Sequence, residues 1–228
     1  MVKLTQSYVH GASDMPLLGK TIGQQFDDTA VRFPEHDALV VCHQNVRWTY
    51  AELKRQVDAV AAGFLTLGLE RGDRIGIWSP NNSEWAISQF ASAKAGLVLV
   101  NINPAYRLSE LAYALNKVEC KALIAAESFK TSRYLEMIIA LAPEIGSCAP
   151  GALASQKLPH LKTVIRLGEK KSSGMYNFFE LAGRAGEEQV AELVALESKL
   201  QFDDAINIQF TSGTTGFPKG ATLTHFNI

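Results

Sequence analysis

Residues 206–225 read INIQFTSGTTGFPKGATLTH. Ile206, Ile208 and Phe210 alternate with polar residues, which predicts a half-buried strand because successive side chains of a strand point to opposite faces. The next six residues, 211–216, hold four hydroxyl groups and two glycines. Residues 221–224 predict a second short strand. The stretch is therefore predicted to be a strand, a polar loop and a returning strand.

The polar loop has the chemistry of an anion site. Glycines let the backbone turn tightly and bring its N–H groups close to a ligand. Hydroxyl groups donate hydrogen bonds, and Lys219, three residues after Gly216, adds a full positive charge. An isolated Thr-Ser-Gly triplet is more often a turn that binds nothing. Here the strand before the loop and the lysine after it favour a site for a phosphate chain.

The loop is not a Walker A motif. That motif requires G-x-x-x-x-G-K-[ST] at the start of a helix. Five residues after Gly213 the chain has Pro218, and Lys219 is followed by Gly220 rather than serine or threonine. A different class of phosphate loop is therefore expected.

The segment TSGTTGFPKG, followed by THFN, resembles the phosphate-binding signature of the adenylate-forming superfamily, which includes acyl-CoA synthetases, luciferases and the adenylation domains of peptide synthetases. From about Ser7 to its last residue, the chain is most similar to the medium- and long-chain fatty acyl-CoA synthetases. The supporting stretches are WTYAEL (48–53), GDRIGI (72–77), NINPAY (101–106) and INIQF (206–210).

The resemblance implies a reaction and its substrates. In the family, a carboxylate attacks the α-phosphorus of ATP to give an acyl-adenylate and pyrophosphate. The thiol of coenzyme A then attacks the acyl carbonyl and releases AMP. ATP, coenzyme A and a small carboxylic acid are thus the expected partners, with Mg²⁺ shared with the nucleotide. The residues implied at the β- and γ-phosphates are Thr211, Ser212, Gly213, Thr214, Thr215, Gly216 and Lys219.

No catalytic side chain and no protein metal ligand is assigned in this stretch. His225 has two open interpretations: it lies near the acyl pocket, or it caps or braces the next helix. The family segment Tyr-Gly-x-Thr-Glu, the later ribose-binding aspartate and the lysine-bearing C-terminal domain have no counterpart in these 228 residues. The resemblance therefore implies that residues 1–228 are an incomplete large N-terminal AMP-binding domain, inactive alone.

Two other functions stay open at this level. The chain could be a non-catalytic fragment that binds a nucleotide or a partner protein. It could also belong to an enzyme that adenylates an aryl or other acid, since the sequence does not give the acid. A homodimer of the full-length protein is a further expectation from the resemblance.

Composition excludes several classes of function. Lys+Arg 22 against Asp+Glu 23 gives a net charge of −1, which offers no basic surface for nucleic acid. No apolar run approaches the length of a membrane span. Cys42, Cys120 and Cys148 lie far apart and are predicted to be packing residues in a reducing compartment. Cytoplasm is the expected compartment, with the mitochondrial matrix as the alternative.

The rest of the chain predicts an α/β fold. Thr21 is predicted to cap a helix that ends before Pro34, and Thr49 to form a capping box with Glu52. Residues 38–42 and 46–50 predict a hairpin, and a helix is expected to start with Ser109 as its cap. Apolar runs separated by helical segments predict a largely parallel sheet flanked by helices. These runs are 75–78, 97–102, 121–126 and 162–167.

Three expectations concern the segments before the loop. Residues 143–159 are predicted to form a surface insertion. Residues 175–182 and 187–200 are predicted to be helical. In the second of these helices Val190, Leu193 and Val194 are expected to face inward.

Overall fold

The computed structural model describes residues 16–211, 216 and 218–228. In this part of the chain the helices are α1 Ile22–Arg32, α2 Tyr50–Leu65, α3 Ser83–Lys94, α4 Leu108–Lys117, α5 Tyr134–Leu141, α6 Phe178–Leu181 and α7 Glu187–Glu197. The strands are β1 Asp37–Val41, β2 Val46–Thr49, β3 Arg74–Trp78, β4 Val98–Asn101, β5 Ala122–Ala125, β6 Thr163–Arg166, β7 Tyr176–Asn177, β8 Ala205–Thr211 and β9 Lys219–Thr224.

The main sheet has the strand order β7-β6-β5-β3-β4-β8-β9. Every described pair in it is parallel except β8 with β9, which is antiparallel. All side chains of β5 and β6 are buried, as a parallel sheet covered on both faces requires. The predicted α/β class with a largely parallel sheet is confirmed, and β1 and β2 form the separate antiparallel hairpin.

The chain changes direction across the sheet at its centre. From β3 it steps to β4 on one side, and from β4 it crosses to β5 on the other side of β3. Because parallel crossovers are right-handed, these two steps place α3 and α4 on opposite faces. Accordingly α3 contacts α1, α2 and α7, whereas α4 contacts α5. In sheets of this kind, ligands bind outside the carboxyl ends of the strands near such a reversal.

Two of the three predicted helix caps, Thr21 and Thr49, are confirmed. The Thr21 hydroxyl accepts the backbone N–H of Gln24, whose side chain accepts the N–H of Thr21 in return. Thr49 and Glu52 make the same reciprocal pair at the start of α2. Each pair satisfies two N–H groups that the helix itself leaves without partners.

Four local expectations are wrong. Ser109 does not cap α4: the helix begins at Leu108, and the Glu110 carboxylate accepts the N–H of Arg107. Residues 175–182 form the short strand β7 and then α6 rather than one helix. Residues 143–159 are no simple surface insertion, because Ile145, Leu153 and Leu158 are buried in the core.

The fourth correction concerns α7. Leu193 is buried as expected, but Val190 is 53% exposed and Val194 is 68% exposed. Helix α7 therefore packs against the rest of the domain mainly through Leu193. No helix among the described residues is long and apolar enough to cross a membrane.

Candidate functional site

The polar loop connects the two antiparallel strands at one edge of the sheet. Thr211 at the end of β8 lies directly opposite Lys219 at the start of β9. The predicted phosphate ligands Ser212, Gly213, Thr214 and Thr215 lie outside the described residues. Gly216 has a φ of 139°, a backbone conformation that side chains with a Cβ rarely adopt. The strand–loop–strand prediction is thus confirmed at both stems of the loop.

The loop stands at the carboxyl edge of the parallel strands. β8 runs parallel to β4, with Gln209 opposite Asn101, the last residue of β4. Thr211 therefore extends two residues beyond the end of β4. This edge is the place where an open α/β sheet binds its ligand.

The Lys219 side chain is exposed, and it forms no ion pair with a carboxylate of the described residues. Its charge is therefore not neutralised from within this part of the chain. The Thr211 hydroxyl donates to the Lys219 carbonyl oxygen over 3.4 Å, which closes the mouth of the hairpin. An exposed ammonium at the mouth of a polar loop suits a phosphate chain.

Helix α4 forms one wall beside the loop. A cavity of about 390 Å³ lies between them and is lined by Ser109, Glu110, Tyr113, Gly216 and Pro218. The Tyr113 hydroxyl donates to the Pro218 carbonyl oxygen over 3.1 Å. Across the other stem, the Tyr106 ring meets Phe210 edge-on, with 6.5 Å between ring centroids. Both stems of the loop are therefore in contact with the segment 106–113.

The Glu110 carboxylate is engaged at the start of α4. Hydrogen bonds from its own backbone N–H and from that of Arg107 hold the pKa of Glu110 below its usual value. Burial, together with the charge of Glu110, raises the pKa of Tyr106. The wall beside the loop thus presents an ionised carboxylate and a neutral phenol at neutral pH.

Asn101 is the one polar side chain in the described part of this edge whose buried oxygen lacks a partner. Its Oδ1 atom is buried and accepts no hydrogen bond from the described residues. Buried polar atoms are nearly always paired, so an unpaired acceptor at a ligand-binding edge fits a donor supplied by a ligand or by residues outside the described part.

His225 lies at the opposite end of β9 from Lys219, beside Ala205 and the start of β8. Six residues of extended strand separate it from Lys219 by about 20 Å. Its Nδ1 atom accepts the backbone N–H of Ile22, the first residue of α1, over 3.0 Å. Burial lowers the pKa of His225, although the Asp204 carboxylate opposes the shift. The ring is therefore neutral at pH 7 and contacts the first turn of α1.

Tyr106 and Tyr113 were missed by the sequence analysis. Tyr113 and Pro218 are 105 residues apart, and no motif links them. Their contact depends on β4 and β8 being neighbours, which places α4 beside the hairpin. Strand order carries no signal in a single sequence.

Comparisons with known proteins give a consistent result. The family model described as "AMP-binding enzyme" matches residues 26–228. The medium-chain acyl-CoA ligase ACSF2, mitochondrial, of Bos taurus is 47% identical over 222 residues, which are 97% of this chain and 36% of that protein. The chain thus spans about a third of the length of the curated relatives it matches.

Solved structures share the fold. The inhibitor-bound N-terminal domain of FACL13 from Mycobacterium tuberculosis aligns with a TM-score of 0.70 and 27% identity, covering 90% of this chain and 44% of that one. A fatty acyl CoA synthetase of Mycobacterium tuberculosis aligns with a TM-score of 0.69 and 24% identity, covering 90% and 34%. The second likeness supports the fold alone.

Proposed function

We propose, from the premise that the chain belongs to the AMP-binding enzyme family, that it carries the phosphate-binding side of an acyl-CoA ligase. The reaction joins a carboxylic acid to coenzyme A. The carboxylate oxygen attacks the α-phosphorus of ATP and pyrophosphate leaves. The thiol sulfur then attacks the acyl carbonyl and AMP leaves.

The placement of the hairpin carries this proposal. The β8–β9 loop stands at the carboxyl edge of the sheet, with an exposed lysine paired across from a threonine at its mouth. We assign Thr211, Ser212, Gly213, Thr214, Thr215, Gly216 and Lys219 to the β- and γ-phosphates. Their role is electrostatic, because charge shifts onto pyrophosphate as it leaves.

For the acid, we propose a medium-chain fatty acid. The support is the identity of 46–47% to ligases whose names include the words medium-chain. The described residues supply the sheet edge and Lys219, which belong to the proposed phosphate site. The assay below tests the chain length of the acid directly. We do not assign His225 to the acyl pocket, because its Nδ1 atom already accepts the backbone N–H of Ile22 in α1.

Mg²⁺ is proposed to arrive with ATP. No three His, Cys, Asp or Glu side chains of the described residues are grouped to hold a metal ion. Phosphate oxygens would be its main ligands, and the ion would neutralise their charge. Hydroxyl oxygens of the loop are the protein groups that we propose as further Mg²⁺ ligands.

A reducing compartment is proposed, either the cytoplasm or the mitochondrial matrix. The bovine relative is named mitochondrial. Cys42, Cys120 and Cys148 are all free thiols. Burial raises the pKa of Cys120 to about 12, so this thiol is unreactive at neutral pH.

The test is ATP–pyrophosphate exchange in a full-length protein containing these residues, with a panel of acids of different chain lengths and aryl acids. Lys219→Ala is expected to lower the exchange rate by on the order of 10²–10³, the usual effect of removing one well-aimed charge. Lys199→Ala removes an exposed lysine elsewhere on the surface and serves as the matched control. Its rate should equal that of the parent.

Three results would count against the proposal. Exchange by Lys219→Ala at the parent rate would remove the assigned role of that lysine. Exchange driven best by aryl or amino acids would refute the fatty acid assignment. Nucleotide binding without exchange for any acid would favour a non-catalytic role.

A further inference from the structure

The loop is held at both stems by one segment of the chain. Tyr106, just before α4, contacts Phe210 at the end of β8. Tyr113, within α4, donates its hydroxyl hydrogen to the Pro218 carbonyl just before β9. Just after the end of α4, Val118 lies 3.8 Å from the position that a Cβ of Gly220 would take. The segment 106–118, which contains α4, therefore contacts the hairpin at three points.

The hydrogen bond to Pro218 has a specific geometric consequence. Proline has no backbone N–H, so its carbonyl is its only backbone hydrogen-bonding group. The Pro218 carbonyl and the Lys219 N–H belong to one planar peptide unit. By fixing that carbonyl, the Tyr113 hydroxyl fixes the orientation of the peptide that leads into Lys219.

We propose that Tyr113 is a positioning residue for Lys219, acting through the Pro218–Lys219 peptide, with Tyr106 supporting the other stem. The inference rests on the proposed function, since it concerns the same phosphate loop. Tyr113 touches no reacting atom in this role. Tyr113 keeps the start of β9, which carries Lys219, in the conformation that binds ATP.

The role predicts a particular kinetic signature. Without the hydrogen bond from Tyr113 to Pro218, the start of β9 is in the ATP-binding conformation for a smaller fraction of the time. ATP binding must then restore that conformation. The apparent affinity falls by that fraction, while the complex formed at saturating ATP is the same. A change of this kind raises KM for ATP and leaves kcat unchanged.

The experiment compares Tyr113→Phe with the parent in a full-length protein containing these residues. This variant keeps the ring and removes only the hydroxyl. Amide hydrogen exchange in the segment 218–222 should become about fivefold faster, the factor that matches one neutral hydrogen bond of about 1 kcal/mol. KM for ATP should rise by up to about fivefold, with kcat and the KM for the acid unchanged.

Tyr176→Phe is the control, because Tyr176 is also half-buried but lies on β7 at the opposite edge of the sheet. It should change neither the exchange of 218–222 nor KM for ATP. The proposal is overturned if the amide hydrogens of 218–222 exchange at the parent rate in Tyr113→Phe, or if they exchange equally fast in the Tyr176→Phe control. It is also overturned if Tyr113→Phe lowers kcat without changing KM for ATP. The exchange measurement uses no nucleotide, so a parent without pyrophosphate exchange would contradict the proposed function and not the hydrogen bond.

Discussion

His225 should make the stability of the domain depend on pH. Its side chain is 4% exposed, and its Nδ1 atom accepts the N–H of Ile22 at the start of α1. A protonated ring cannot accept that hydrogen, so the native contact requires the neutral form. The informative substitutions are His225→Asn, which offers an amide oxygen as a non-titrating acceptor, and His225→Leu, which offers none.

Burial lowers the pKa of His225 in the folded state below its usual 6.5. As pH falls through about 6.5, the unfolded chain takes up a proton that the folded chain refuses, so the free energy of unfolding decreases. The contribution of His225 to the free energy of unfolding is fully present above pH 6.5. It is lost as the pH falls towards the lower pKa of the folded state. If the folded ring stays neutral throughout, the loss between pH 7 and 5 reaches about 2 kcal/mol, the upper limit for one histidine.

The charged groups around the ring do not produce the same signal. Asp204 pairs with Arg71 at 2.7 Å, and Lys20 lines the groove beside the ring. Although burial raises the pKa of Asp204, hydrogen bonds from Gln201 and Arg71 lower it below its usual 3.8. Protonation of Asp204 therefore reduces the free energy of unfolding only below about pH 4, outside the pH range of the experiment.

Urea unfolding of the three proteins between pH 5 and 8 measures the effect. The parent should lose up to about 2 kcal/mol across the window relative to His225→Asn, because only the parent carries the titrating ring. His225→Leu should be less stable than the parent by about 1–2 kcal/mol at pH 8, since the Ile22 N–H loses its acceptor. The other histidines are present in every variant and cancel. Parallel pH profiles for the parent and His225→Asn would refute this reasoning.

Two further predictions test the packing of the domain. Lys94 is 9% exposed and bonds to Asp27 at 2.7 Å and Asp58 at 2.5 Å. Lys54 pairs with the same two carboxylates, so Lys94→Met removes the more buried of two lysines and should cost about 1–2 kcal/mol in urea unfolding. Lys20→Met breaks an exposed pair with Asp28 and should cost less than about 1 kcal/mol; equal losses would contradict a special role for Lys94. Gly174→Ala should lower the free energy of unfolding by more than about 2 kcal/mol. Gly174 has a φ of 68° and its Cβ would lie 1.9 Å from the Ile145 carbonyl, whereas Gly183→Ala, with 3.7 Å to the nearest atom, should be close to neutral in thermal unfolding.

The features predicted correctly from sequence are those whose physical cause lies within a few residues. Thr21 and Thr49 cap their helices because the partner side chain is three positions away in each case. The strands β3, β5 and β6 follow from short apolar runs that end in polar residues. The pairing of β8 with β9 belongs to the same class, since Thr211 and Lys219 lie opposite each other only eight residues apart.

The wrong predictions depended on what a face packs against. Val190 and Val194 recur at helical spacing, yet α7 meets its neighbours mainly through Leu193. Asn207 alternates with isoleucines on β8 but is buried, because its side chain lies against Gln89 of α3, over a distance of 3.5 Å. Periodicity tells which side chains share a face. It does not tell whether that face is covered.

The site divides along the same line. Thr211 and Lys219 are eight residues apart, and the hairpin pairing that joins them is local. Tyr113 reaches the same stem from 105 residues away, only because β4 and β8 are adjacent and α4 follows β4. A motif therefore indicates which residues to propose as phosphate ligands, while the contacts that hold the stems of the loop require the sheet order. A substitution at Tyr113 would look harmless from the sequence, and the hydrogen bond to Pro218 is the reason to expect an effect on Lys219.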